Sequence, residues 1–221
     1  MEQDATIAML VQALETSRHA AFHDPLTGLA NRSLILDHLK LALARAGRAS
    51  TLVAVIFFDL DDFKRINDTL GHEAGDEVLV RIAERLGPAV RPADTLGRWG
   101  GDEFVVVCED LERPSDAAVI VDRIRAGLER PFEVAGTEIH VTASIGVALS
   151  DFTDEPAVLI AAADSAMYRA KHDRPGRTRP GSDPQAWATG ALHPGNERLT
   201  GRLRELLLSV TIDEDHPAAA R

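Results

Sequence analysis

Apolar and polar positions change period several times along the chain, and each change marks a predicted element. Residues 1 to about 22 place Ile7, Leu10, Val11 and Leu14 at helical spacing, which predicts an amphipathic lead-in helix without a core of its own. The segment HDPLTGLANR (23–32) follows, with Asp24-Pro25 predicting a turn and a helix start. A helix then runs from about 31 to 46 and stops near Gly47. LVAVIFFDL (52–60) is β-branched and aromatic, the pattern of a strand buried on both faces, and it ends among Asp59, Asp61 and Asp62. DDFKRINDTL continues as a short helix that breaks at Gly71. Asp76 reads as the N-cap of the next helix, whose Val78, Leu79, Ile82 and Leu86 form one stripe.

A strand around 94–99, the turn GGDE and a second strand at 104–110 predict a β-hairpin. Ser115 to about Arg130 reads as a helix, 139–150 as a strand and 156–171 as a helix. The core order is strand, helix, strand, strand, helix, strand. That is the α+β, ferredoxin-like β-α-β-β-α-β plan, with additional helices at both ends. From about 174 onward Pro, Gly, Arg and Ser dominate, so 174–196 reads as a linker, with one amphipathic helix possible over 197–210. The expected organisation is a lead-in helix (1–22), one catalytic domain (23–173) and a tail (174–221).

Composition narrows the function. The 221 residues carry a formal net charge of -11, so the chain lacks the positive surface that holds long nucleic acid. A small polyphosphate remains a suitable ligand if a metal ion and a few local cations neutralise it. Cys108 is the only cysteine, which excludes an internal disulfide and suits a reducing cytoplasm. No apolar stretch approaches membrane-spanning length, and the acidic N-terminus MEQDATIAML does not read as a secretory signal.

Candidate chemistry is concentrated in carboxylates at strand ends. Asp59 closes the first strand, and Asp102-Glu103 occupy the turn of the hairpin that neighbours it in such a sheet. Any one of these alone is most simply a solvated turn residue. Two carboxylates brought together repel unless a cation sits between them. Magnesium prefers oxygen ligands and takes one or two carboxylates plus substrate phosphates, so the set points to metal-assisted phosphoryl or nucleotidyl transfer. Gly100 and Gly101 suit close approach of a nucleotide and permit positive φ in the turn. No glycine-rich phosphate loop of Walker or dinucleotide-binding spacing is present.

RWGGDEF (98–104) resembles the signature of the GGDEF family of diguanylate cyclases. HDPLTGLANR, FFDLDDFKRINDTLGHEAGD (57–76), SIGVA (144–148) and ADSAMYRAK (163–171) are similar to further landmarks of that family, so the resemblance spans roughly 22–173. It implies that Asp59 and Asp102, with the backbone carbonyl of Leu60, hold Mg2+ or Mn2+, and that Glu103 supports that site. It implies Asp102 as base for the ribose 3′-hydroxyl and Lys64 as a stabiliser of phosphate charge. Asn67 and Asp76 would read guanine, with His72 lining the pocket and Lys171 on the triphosphate. A carboxylate at position 76 suits guanine, which offers N1–H and a 2-amino donor, over adenine, which would leave it unpaired.

The resemblance further implies GTP as substrate, cyclic di-GMP as product and a homodimer. One subunit holds one GTP, and reciprocal attack requires two sites facing each other. Arg91-Pro92-Ala93-Asp94 matches the family's RxxD product-inhibition motif, with Arg123 as a second arginine. The pattern departs after Lys171, where KHDRPGR is two residues longer than usual and leaves Arg174 and Arg177 as alternatives for a second triphosphate contact. Two other readings stay open on these residues: a receptor that binds cyclic di-GMP through Arg91 and Asp94, and a module that binds GTP only to change shape.

Overall fold

A computed structural model describes residues 7, 9, 19–150 and 155–172. Most of the predicted lead-in helix, and all of 174–221 with Arg174 and Arg177, lie outside the described residues. The elements are α1 (Arg32–Ala49), β1 (Leu52–Leu60), α2 (Phe63–Leu70), α3 (His72–Leu86), β2 (Thr95–Gly100), β3 (Glu103–Leu111), α4 (Pro114–Glu129), β4 (Phe132–Val134), β5 (Thr137–Ile139), β6 (Ala143–Leu149) and α5 (Pro156–His172). The main sheet has the order β2-β3-β1-β6, and every neighbouring pair is antiparallel. This is the ferredoxin-like sheet expected from the sequence.

β1 is central, and its alternation explains why both of its faces are apolar. Ala54, Ile56, Phe58 and Leu60 join one core with Val78, Leu79 and Ile82 of α3 and Ile120 and Ile124 of α4. Val53, Val55 and Phe57 join the other with Ile35 and Leu39 of α1 and Leu159, Ala163 and Met167 of α5. Successive side chains of a strand point to opposite faces, so a strand covered on both sides reads as a continuous apolar run. The crossover helices α2, α3 and α4 cover one face of the sheet, and α1 and α5 cover the other.

Four expectations are corrected. The 139–150 segment is not one strand. β5 ends at Ile139 and pairs with β4 in a separate two-stranded hairpin, whose turn residues Ala135 and Gly136 have φ of 49° and 73°. α3 begins at His72 rather than after Asp76, so Asp76 lies within the helix and does not cap it. α1 runs on through Gly47 to Ala49 and ends at Ser50, whose N–H donates to the Ala46 carbonyl. Asp24-Pro25 makes the expected turn but starts no helix; Asn31 caps α1, its side chain accepting from the Leu34 N–H at 3.1 Å. No helix among the described residues is long and apolar enough to cross a membrane.

Candidate active site

Strand pairing assembles the acidic cluster. In β1, Asp59 stands opposite Glu103 of β3 on one side and Ser144 of β6 on the other. The Leu60 N–H donates to the Asp102 carbonyl at 3.2 Å, tying the end of β1 to the hairpin turn. Asp59, Leu60, Asp102 and Glu103 are therefore brought together at one end of the sheet. Gly101 takes φ of 52°, which the turn requires, whereas Gly100 ends β2 with no such requirement.

Lys171, near the end of α5, reaches the same place: its ammonium donates to Asp59 Oδ1 at 2.5 Å. That reach depends on how closely α5 lies against β6. A Cβ on Gly146 would sit 2.1 Å from the Met167 nitrogen and 2.2 Å from the Ala163 carbonyl oxygen, both helix backbone. Only glycine at position 146 allows this approach.

The electrostatics are those of a cation seat. Burial raises the Asp59 carboxyl above its ordinary value, and the charges of Asp102 and Asp61 push the same way, against the bond and charge of Lys171. Burial likewise raises Glu103, helped by Asp59, Asp164 and Asp102. Burial works against the Lys171 ammonium, yet the bond to Asp59 and the charges of Asp59, Asp102 and Asp61 raise its pKa overall. Among the described residues no group of three or more His, Cys, Asp or Glu side chains is placed to hold a metal ion by itself. The donor set fits magnesium all the same: two carboxylates and a backbone carbonyl leave positions for substrate phosphate, and an ammonium already lies against one carboxylate.

Two functional arrangements escaped the sequence. Asp61 accepts from Thr142 Oγ1 at 2.5 Å and Ser144 Oγ at 2.7 Å, and its N–H donates to the Thr142 carbonyl at 2.8 Å. These bonds fix the path of the chain just beyond Leu60. Arg98 donates from Nε to the Gly101 carbonyl at 2.9 Å and from Nη1 to Asp24 Oδ1 at 3.0 Å. Its backbone N–H also donates to the Ala30 carbonyl at 2.9 Å. Burial opposes ionisation of Asp24, but hydrogen bonds from Thr27 and Arg98 hold its pKa below the ordinary value. The leading turn and the GGDE turn are thus one unit. Their signals, Asp24-Pro25 and the arginine of RWGGDEF, were visible, but not their pairing.

The remaining candidates fall in two places. Lys64 and Asn67 lie on α2, His72 and Asp76 on α3; Lys64, His72 and Asp76 are exposed and Asn67 is half-buried. Arg91, Asp94 and Arg123 lie apart from the acidic cluster in sequence and element, before β2 and on α4. Asp94 is buried, and its two carboxylate oxygens accept from the Glu109 and Arg91 backbone N–H groups, each at 3.2 Å. Burial raises its pKa against those bonds and against the charges of Arg91 and Arg123. Asp94 is therefore a strut of the β2–β3 hairpin whatever else it binds.

A family described as diguanylate cyclase, GGDEF domain, matches residues 21–177. The chain belongs to this family. It is 43% identical over 163 residues to the diguanylate cyclase TpbB of Pseudomonas aeruginosa, covering 73% of this chain and 38% of that protein. It is 43% identical over 152 residues to the bifunctional diguanylate cyclase/cyclic di-GMP phosphodiesterase MucR of the same organism, covering 68% of this chain and 22% of MucR. The chain thus spans between a fifth and two fifths of the length of these curated relatives. Among solved structures, the isolated GGDEF domain of TpbB superposes with a TM-score of 0.66 at 42% identity, covering 70% of this chain and 91% of that one. The coiled coil and GGDEF domain of DgcB from Caulobacter crescentus, in complex with c-di-GMP, gives 0.72 at 31% identity over 80% of this chain and 94% of DgcB's. As a GGDEF domain, the chain has its family's sheet and its acidic turn in the expected relation.

Proposed function

We propose that this GGDEF chain is a diguanylate cyclase that condenses two GTP into cyclic di-GMP and releases two pyrophosphates. The observation that carries the reading is the meeting of Asp59, Asp102 and Lys171 at one end of β1, in a chain of this family. Asp59, Asp102 and the Leu60 carbonyl would hold Mg2+ or Mn2+, and Glu103 supports that site. When bound, the ion supplies positive charge that neutralises the triphosphate and makes its α-phosphorus more electrophilic.

The chain's own residues bind, orient and move a proton. The Asp76 carboxylate accepts from guanine N1–H and the 2-amino group, the Asn67 amide reads the same base edge, and His72 lines the same pocket. Gly100 and Gly101 leave room for the nucleotide backbone. Lys64 and Lys171 balance charge on the phosphates. Asp102 takes the proton of the ribose 3′-hydroxyl as its oxygen bonds to the α-phosphorus of the other GTP; the bond from that phosphorus to pyrophosphate breaks. Two such events close the ring, and two protons and two pyrophosphates leave.

Each event needs a hydroxyl from one site and a phosphorus from the other, so the working unit is a homodimer about a twofold axis. Arg91, Asp94 and Arg123 would hold the product and restrain the enzyme. An enzyme supplied with GTP, with its single thiol free and buried, works in the cytoplasm. The test is product analysis after incubation with GTP, ATP or both in the presence of magnesium. Pyrophosphate and cyclic di-GMP from GTP alone are expected, with none from the Asp102→Ala variant. Equal use of ATP, or turnover by Asp102→Ala at the parent rate, overturns the proposal.

A further inference from the structure

α2 and α3 form a tight helical hairpin reversed at Gly71, where φ is 88°. The Gly71 N–H donates to the Asn67 carbonyl at 2.9 Å, and the Gly71 carbonyl accepts from the Gly75 N–H at 3.2 Å. These bonds lay the last turn of α2 over the first turn of α3. At the crossing, a Cβ on Gly75 would lie 1.9 Å from Asn67 Oδ1, 3.0 Å from Asn67 Cγ and 3.3 Å from the Phe63 ring. The Asn67 amide therefore occupies the space that any side chain at position 75 would take. Phe63 is buried beneath it, and exposed Asp76 is the next residue along α3.

We infer that Gly75 is a positioning residue for base recognition: lacking a Cβ, it seats the Asn67 amide beside Asp76 and so sets preference for guanine over adenine. The inference rests on the GTP site proposed above. An amide packed against the bare helix backbone at Gly75 has few rotamers left to lose when a base arrives. Alanine at position 75 suits a helix interior better than glycine. Its Cβ would collide chiefly with the end of the Asn67 side chain, while the Phe63 ring at 3.3 Å need give by only a few tenths of an ångström, so the main displacement falls on the Asn67 amide.

The test is calorimetric binding of 3′-deoxy-GTP and 3′-deoxy-ATP, which lack the attacking hydroxyl, to the full chain with magnesium. The variants are Gly75→Ala, Asn67→Ala and the double substitution. Gly75→Ala should lower the guanine-over-adenine preference by roughly tenfold, the worth of one misaligned hydrogen bond, with a melting temperature at or above the parent's. In the Asn67→Ala background the same change should have no further effect, because Gly75 acts only through that amide. An unchanged preference in Gly75→Ala, a further loss in the double variant, or a fall in melting temperature with Gly75→Ala would each overturn the inference. If the parent itself shows no guanine preference, it is the underlying nucleotide assignment that fails.

Discussion

At the scale of single residues, the carboxylates at the end of β1 are held in a state that acid favours. Asp59 and Glu103 both titrate above their ordinary values, through burial first and neighbouring charge second. A carboxyl raised in the fold prefers its proton there, so its contribution to stability is present below the unfolded pKa and is lost as pH rises through the folded one. Without a divalent cation, these two groups should therefore cost stability at neutral pH. Magnesium should raise the melting temperature at neutral pH, and the gain should shrink as pH falls and protons compete for the same oxygens. Melting curves from mildly acidic to neutral pH, with and without magnesium, check this; Asp59→Asn should abolish the magnesium gain and lower turnover at least about a hundredfold.

Asp94 shows how a motif can be legible while its physical role is not. The spacing of Arg91 and Asp94 is readable in the sequence, but the backbone N–H groups that Asp94 receives come from Arg91 and Glu109, and the latter depends on hairpin register. Removing a buried acceptor leaves those donors unpaired, so Asp94→Ala should cost about 2–4 kcal/mol in urea unfolding. Arg91→Ala, whose side chain is half-buried, should cost under about 1 kcal/mol. Product inhibition is therefore cleanly tested through Arg91, and loss of inhibition in an Asp94 variant would mix binding with a weakened hairpin.

At the scale of elements, the placing of α5 decides where Lys171 can reach. Its Met167 nitrogen and Ala163 carbonyl oxygen stand within 2.2 Å of where a Gly146 Cβ would lie. Backbone cannot move aside as a side-chain tip can. Gly146→Ala should thus lift the helix from β6, costing about 1–3 kcal/mol in urea unfolding and weakening the Lys171–Asp59 pair. Turnover should fall with it, in contrast to a surface alanine substitution elsewhere on α5.

Long elements were legible because their apolar periods were long: β1 matches its predicted bounds, and α4 and α5 differ from theirs by a residue. The β4–β5 hairpin was not, because its strands have three residues each and its turn places Ala135, not Asn or Asp, at positive φ. The break before β6 was hidden because Thr142 looks like a strand residue, yet it serves Asp61. The start of α3 was misjudged because Asp76 has the side chain of an N-cap, although Gly75 before it already lies within the helix. Gly75 is a helical residue whose missing side chain makes room for Asn67.

At the scale of the whole molecule, the described domain supplies one acidic turn and one α2–α3 hairpin, and the proposed reaction needs two of each. Specific activity should then rise with protein concentration until the dimer is saturated. Mixing the parent with excess Asp102→Ala should drive turnover toward zero as parent subunits become trapped in mixed pairs. Cyclic product measured by chromatography beside sedimentation of the same samples decides the matter: activity proportional to the monomer fraction would sink the paired-site reading. None of this was legible in periodicity or composition, which describe one subunit's burial and charge.

The bond network of Arg98 bears on where the functional unit begins. The GGDE turn is held by a guanidinium of its own strand β2 that is itself anchored outside the hairpin on Asp24, in a segment with no proposed chemistry. A chain shortened to start at Arg32 would keep every strand of the main sheet and every proposed ligand, but Arg98 would lose its anchors on Asp24 and the Ala30 carbonyl, and with them the brace of the GGDE turn. Such a truncation should still show the sheet's circular dichroism while losing nucleotide affinity. The minimal working length is thus set by a mechanical brace rather than by the last residue that touches substrate.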